Sequence, residues 1–168
     1  MKHLTNLFLF LSIVVLPQMA AAQSDTLSIP LISTPRGTSG NLIPINLSNT
    51  TSTRSIQVVL TYDHSLFTVD SVAAGTRTST LSTNSYNILP ASAPSTIDTV
   101  RIVIFDAVSP IDSIPAGSGD IASLVISTVA DPGAVAVFFE VSGQSETATF
   151  DADNQSKPLE VVHGVVTN

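Results

Sequence analysis

No cysteine and no tryptophan occur in the 168 residues, and charge is scarce. Without cysteine there is no disulfide, no zinc–thiolate site, no iron–sulfur cluster and no thiol nucleophile. Without tryptophan the chain lacks a side chain well suited to stacking on sugar rings. Only 11% of residues are charged, less than half the usual share of about 25%. Two lysines and four arginines stand against thirteen acids, for a net charge of -7. So few cations cannot neutralise a row of phosphates, which excludes nucleic acid as a partner. Serine and threonine are plentiful, 42 together, and 43% of residues are apolar. Small hydroxyls in excess over charge suit sheets and turns rather than solvated helices. The length favours one domain, large enough to bury a core.

The first 22 residues carry the three parts of a secretory leader. Lys2 and His3 give a positive start, Leu7–Leu16 an apolar run, and Ala20-Ala21-Ala22 a small-residue cleavage site before Gln23. Ten helical residues span about 15 Å, half of a bilayer core of about 30 Å. The run is therefore read as a cleaved signal peptide over 1–22, not an anchor. The expected mature unit is residues 23–168, secreted to the extracellular space or cell surface with no membrane span. Losing Lys2 leaves five positive against thirteen negative residues, or -8.

Along the rest of the chain apolar residues recur at every second position. They form short runs divided by Gly, Pro, Asn, Asp and Ser, the pattern of half-buried strands. The runs are Leu27–Ile32, Leu42–Leu47, Ile56–Tyr62, Leu66–Val72, Tyr86–Leu89, Thr99–Phe105, Ile121–Val129, Val135–Val141, Thr147–Phe150 and Leu159–Val166. Pro44 cannot donate a ladder hydrogen bond, which predicts an edge or a bulge there. Gly164 predicts a bend in the last run. Gly75–Asn84 reads as a Ser/Thr-rich loop with little to bury, and Ala107–Gly119 as a long connection. The expectation is an all-β, two-sheet β-sandwich of about nine strands, since no helices alternate with the runs.

Several of these residues together resemble the cohesin domain family. Gln57-Val58-Val59-Leu60-Thr61-Tyr62-Asp63-His64, followed by Leu66, Val69, Val72 and Gly75, is similar to the family's third strand and the stretch after it. Gly119-Asp120 before an apolar strand and Asp131-Pro132-Gly133 after it match further elements. Phe150-Asp151 through Gly164-Val165-Val166 is similar to the closing hairpin. His64 departs from the pattern, standing where the family usually has proline. The resemblance covers Leu27–Asn168 and implies a jelly-roll sandwich with no catalytic site and no cofactor. It also implies a dockerin-type protein partner that carries the calcium itself, in the setting of polysaccharide degradation. The binding surface it implies is one flat sheet face built from the third, fifth, sixth and eighth strands.

The alternation can be read against that face. With Ile56, Val58, Leu60 and Tyr62 in the core, Ser55, Gln57, Val59 and Thr61 point out. On the following strands Asn87, Leu89, Arg101, Val103, Phe105, Phe138 and Glu140 fall on the same side. Ser55, Gln57, Val59, Asn87, Leu89, Arg101, Val103, Phe105, Phe138 and Glu140 are therefore the candidate partner-binding residues. An apolar patch fringed by polar groups is the composition of a protein-binding surface. A parity error of one residue would exchange the two faces.

Other constellations carry less. Asp151-Ala152-Asp153-Asn154 begins like a calcium loop, but Ser156 and Val162 stand where the glycine and the bidentate acid belong. It reads as a hairpin turn. His64 and His163 have no acid or histidine at ligand spacing, so no metal site is expected. Ser118-Gly119 and Ser142-Gly143 lack the Gly-x-Ser-x-Gly turn of a nucleophile elbow. Asp106 and Asp112 sit in no evident cleft. Asn46, Asn49 and Asn154 lie in glycosylation sequons. The reading is a secreted, non-catalytic protein-binding module. Two alternatives stay open: a carbohydrate-binding module with a polysaccharide partner, or a structural or adhesive surface module.

Overall fold

The computed structural model describes residues 24–108, 112–128, 136–138, 140–141, 148–151, 153, 155–157, 159–162 and 165–167, and among these described residues every regular element is a strand. The strands are β1 (Asp25–Ser28), β2 (Ile32–Ser33), β3 (Asn41–Asn49), β4 (Ser55–Asp63), β5 (Phe67–Ala74), β6 (Thr83–Leu89) and β7 (Ile97–Phe105). There follow β8 (Gly117–Thr128), β9 (Ala136–Phe138), β10 (Glu140–Val141), β11 (Ala148–Phe150), β12 (Ser156–Lys157), β13 (Leu159–Val162) and β14 (Val165–Thr167). One five-stranded sheet has the order β13-β1-β3-β8-β5. A six-stranded sheet has the order β12-β11-β4-β7-β6, with β10 also on β4. A small third sheet, β2-β14-β9, adjoins them. The architecture is an all-β, two-sheet sandwich of jelly-roll type, as expected; some expected strands are divided into shorter pieces.

The core lies between the two large sheets. Ile43, Ile45, Leu47, Phe67, Leu124 and Ile126 from one sheet meet Ile56, Val58, Leu60, Tyr62, Val100, Ile102 and Ile104 from the other. All are buried. The period-2 alternation puts one face of each strand into this layer, and each fully buried aliphatic side chain contributes about 1.5–3 kcal/mol. Tyr62 and Phe67 stack at 5.1 Å between ring centres.

Pro44 is tolerated because β1 pairs β3 only over Asn46–Ser48. Among the described residues only β8 neighbours Pro44, so the strand is locally an edge there, and the register with β8 shifts at Ile45/Asn46. The expected single strand Val135–Val141 is divided in two. β9 pairs β14 in the small sheet, whereas β10 pairs β4 in the six-stranded sheet. The last run is likewise divided into β13 and β14, and the bend predicted at Gly164 lies outside the described residues.

The stretch after β5 is not the unburied loop its composition suggests. Thr78 and Leu81 are buried, and Thr78 donates its hydroxyl to the Ile121 carbonyl at 2.6 Å. Gly75 N–H donates to the same carbonyl and Arg77 N–H to that of Asp120. Asp120 answers by accepting from the Thr76 hydroxyl and the Thr76 N–H, which hold its carboxyl below the usual range. Arg77 then reaches across the sheet end. It donates to the Leu47 carbonyl and Asn49 Oδ1, each at 2.7 Å, and to the Pro115 carbonyl. Gly119, at positive φ, leaves room for its side chain, since a Cβ there would stand 3.1 Å from Arg77 Cδ. The Gly75 and Gly119-Asp120 motifs are therefore a strap that fastens one loop to β8. Asn49 is buried within it, so its sequon is closed to a glycan in the folded chain.

Candidate functional site

The outward side of the six-stranded sheet is built from β4, β7 and β6 in continuous antiparallel register. Across it run the rows Ser55–Phe105–Thr83, Gln57–Val103–Ser85, Val59–Arg101–Asn87 and Thr61–Thr99–Leu89. Residues paired in a ladder share a face, so Ser55, Gln57, Val59, Arg101, Val103, Phe105, Asn87 and Leu89 stand together on one side. β10 adds Glu140 opposite Thr61, and β11 adds Ala148 and Phe150 opposite Gln57 and Ser55.

Two of the predicted residues sit differently. Val59 has the expected parity but is fully buried. It lies on an interior strand, opposite Arg101 of β7. The expectation that its side chain is exposed is corrected. Phe138 is not in this sheet, because β9 pairs it with Val165 of β14. The strand crosses from one sheet to the other after Phe138, a crossing that alternation cannot register. The side chains of Phe138 and Glu140 lie outside the described residues.

Exposure grades along the face. Leu89 is 42% exposed, and Ile97, next on β7 beyond Thr99 and on the same side, is 48% exposed. Arg101, Asn87 and Ser85 are exposed; Ser55, Gln57, Thr61, Val103 and Phe105 are half-buried. The pattern is an apolar corner, a central cation–amide row and a half-sunk apolar end. Ile97 belongs with the predicted set, but its strand was expected to begin at Thr99.

Two aspartates pin the ends of β6 against β7. At one end Asp98 accepts from Ala91 N–H at 2.8 Å and lies 2.9 Å from His64 Nδ1. Tyr62 donates to its other oxygen at 3.4 Å. Burial pushes the Asp98 carboxyl up, but these donors outweigh it and hold it below the usual range. Burial, then the Asp98 charge, raises the Tyr62 phenol. His64 thus does meet an acid, from a residue 34 positions away that spacing could not reveal. His163 lies outside the described residues.

At the other end Asp106 accepts from the Ser82 hydroxyl, from Asp112 N–H at 2.8 Å and from Val108 N–H at 3.2 Å. These bonds lower its pKa to about 2. A carboxyl depressed in the fold stabilises it above the ordinary carboxylate range, and the gain is lost as pH falls through about 2. The amide resonances of Val108 and Asp112 should therefore hold their positions to about pH 3 and then shift together. Asp106→Asn should remove that midpoint. A midpoint at the ordinary carboxylate value would show that the tie is not made in solution.

The expected turn at Asp151 is present. Its Oδ1 accepts from Asp153 N–H and Gln155 N–H, each at 2.9 Å, so the carboxylate serves its own hairpin. Among the described residues no cluster of three or more His, Asp or Glu could hold a metal ion. Tyr62 is buried and Tyr86 belongs to the inward parity of β6, so neither tyrosine supplies a ring to the outward face.

Comparison with known proteins bears on this geometry. The family profile of the Cohesin domain matches residues 33–165. No curated protein matches the chain in sequence. Among solved structures, an OlpA cohesin–dockerin complex from Clostridium thermocellum is 21% identical, with a TM-score of 0.69 over 86% of this chain and 99% of that one. A cohesin from Clostridium acetobutylicum is 20% identical, with a TM-score of 0.69 over 87% and 91%. A non-cellulosomal cohesin from Archaeoglobus fulgidus is 16% identical, with a TM-score of 0.61 over 86% and 91%.

Proposed function

Since this chain belongs to the cohesin domain family, we propose that it is a non-catalytic module that binds a dockerin-bearing protein through the outward face of its six-stranded sheet. The observation that carries the reading is the face itself. Unbroken register brings Gln57, Arg101, Asn87, Val103, Phe105 and Leu89 onto one side of the sheet, with exposed Leu89 and Ile97 at its corner. A rigid sheet surface with a few apolar anchors and a polar fringe suits protein recognition, where a minority of residues carries most of the binding energy. A similar structure is itself a cohesin with dockerin bound. The leader-like residues 1–22 support secretion, and the calcium would be the partner's. A role in polysaccharide degradation follows from the family setting. The lack of an outward tyrosine disfavours a sugar-stacking platform.

Calorimetric titration of Gln23–Asn168 with a panel of calcium-loaded dockerins, with chelator controls, tests this. Binding is expected from at least one, abolished by chelator. Leu89→Asp and Ile97→Asp, both at exposed positions, should each weaken it by about tenfold or more, with the melting temperature unchanged. Ser48→Asp, on the opposite sheet, should leave it intact. Binding that ignores both face variants would reject the face, and silence across the panel together with binding to β-glucans would reject the protein partner.

A further inference from the structure

A sheet edge presents unpaired N–H and C=O groups, and folded proteins blunt it with charge, proline, bulges or brevity. Three of the four edges of the two large sheets are blunted in this way. β5 is bulged at Asp70, whose carboxylate takes the Ser127 hydroxyl. β13 has four residues, one of them Glu160, and β12 has two, one of them Lys157. β6 has none of these devices. Its seven residues, Thr-Asn-Ser-Tyr-Asn-Ile-Leu, carry no charge and no proline, and they pair β7 without a register shift. Asn84, Ser85, Tyr86, Asn87 and Leu89 are all exposed, Tyr86 at 43%. Among the described residues, the hydrogen bond that ties the preceding turn to the strand lies at its start, from the Asn84 amide to the Thr78 carbonyl.

We propose that β6 pairs antiparallel with β6 of a second copy of this chain, about a two-fold axis at Tyr86. The strand is suited to itself. The axis sets Tyr86 against Tyr86 of the partner copy on the inward side, where two rings cover each other. On the outward side it sets Ser85 against Asn87 of the other copy, a hydroxyl against an amide. No like charges meet anywhere along the seam, although each chain carries -8 once its leader is gone. Such a pairing is isologous, so it closes at two copies. A two-fold axis normal to the sheet keeps both outward faces on the same side of one continuous sheet. The seam is short, which places it with weak interfaces.

Sedimentation velocity of Gln23–Asn168 from low micromolar to about 1 mM tests the pairing without any binding partner. The weight-average mass should climb toward that of a dimer, and added salt should strengthen association by screening the net charge. Ser85→Lys with Asn87→Lys sets like charges opposite each other across the seam and should hold the chain monomeric. Ser85→Lys with Asn87→Glu sets opposite charges there and should restore the dimer. Thermal melts confirm that each variant is folded. A native chain that stays monomeric throughout, or a double-lysine variant that still dimerises, would overturn the proposal.

Discussion

Replacing Gly75 with alanine is expected to cost about 3 kcal/mol or more and to lower the melting temperature by roughly 10 °C. The reason is a backbone against a backbone. A Cβ at this position would stand 2.4 Å from the Ile121 carbonyl carbon and 2.5 Å from the Asp120 carbonyl oxygen. Neither atom can swing aside as a flexible side chain would, so the loop must lift from β8. Lifting also breaks the Gly75 N–H and Thr78 hydroxyl bonds to the Ile121 carbonyl. Gly40→Ala is the informative comparison. Gly40 has φ of 76° but nothing within 4 Å of an added Cβ. It should lose only the left-handed strain of about 1–2 kcal/mol. Equal losses at the two sites, measured by thermal or urea melts, would mean that close approach plays no part at Gly75.

Lys157→Met is expected to destabilise the fold by about 3–5 kcal/mol, because it strands a buried charge. Asp25 is buried, with its Oδ2 2.7 Å from Lys157 Nζ and 3.1 Å from the Thr149 hydroxyl. Its other oxygen has no hydrogen-bond partner among the described residues. Lys157 also donates to the Thr53 hydroxyl and the Thr51 carbonyl, so one ammonium joins β12, β1 and the loop before β4. The double variant Asp25→Leu with Lys157→Met should recover most of the loss, since an apolar pair of similar size often equals a buried ion pair. Urea melts of the singles and the double separate the pair from its parts. A single variant as stable as the native chain would show that the Asp25–Lys157 contact adds nothing to the fold.

What the sequence revealed, and what it concealed, follows from the range of each interaction. The outward face was legible because β4 and β7 alternate strictly, and a ladder transmits that parity from strand to strand. Ser55, Gln57, Arg101, Val103, Phe105, Asn87 and Leu89 therefore stand where alternation puts them. Alternation reports direction but not depth, so it missed that Val59 is buried. It reports nothing of sheet membership, so it read Phe138 into the wrong sheet. The Arg77 strap, the His64–Asp98 contact and the Asp25–Lys157 pair join residues tens of positions apart. No spacing rule announces such pairs. Gly119, which makes room for Arg77, was visible as a motif letter, but its purpose lay in an arginine some 40 residues away.

β1 and β13 lie side by side and parallel, with Asp25 opposite Leu159 and Ser28 opposite Val162. The backbone thus enters the sheet at one end of this pair and leaves it at the other. Tension applied at Asp25 and, once β14 has parted from β2 and β9, at Val162 would drag the two strands past each other along their length. Four ladder positions would then have to yield together, instead of parting one at a time like a zip. The Asp25–Lys157 bond crosses the same junction and would be stretched with them. The β1–β13 pair is therefore braced against a pull along its own length.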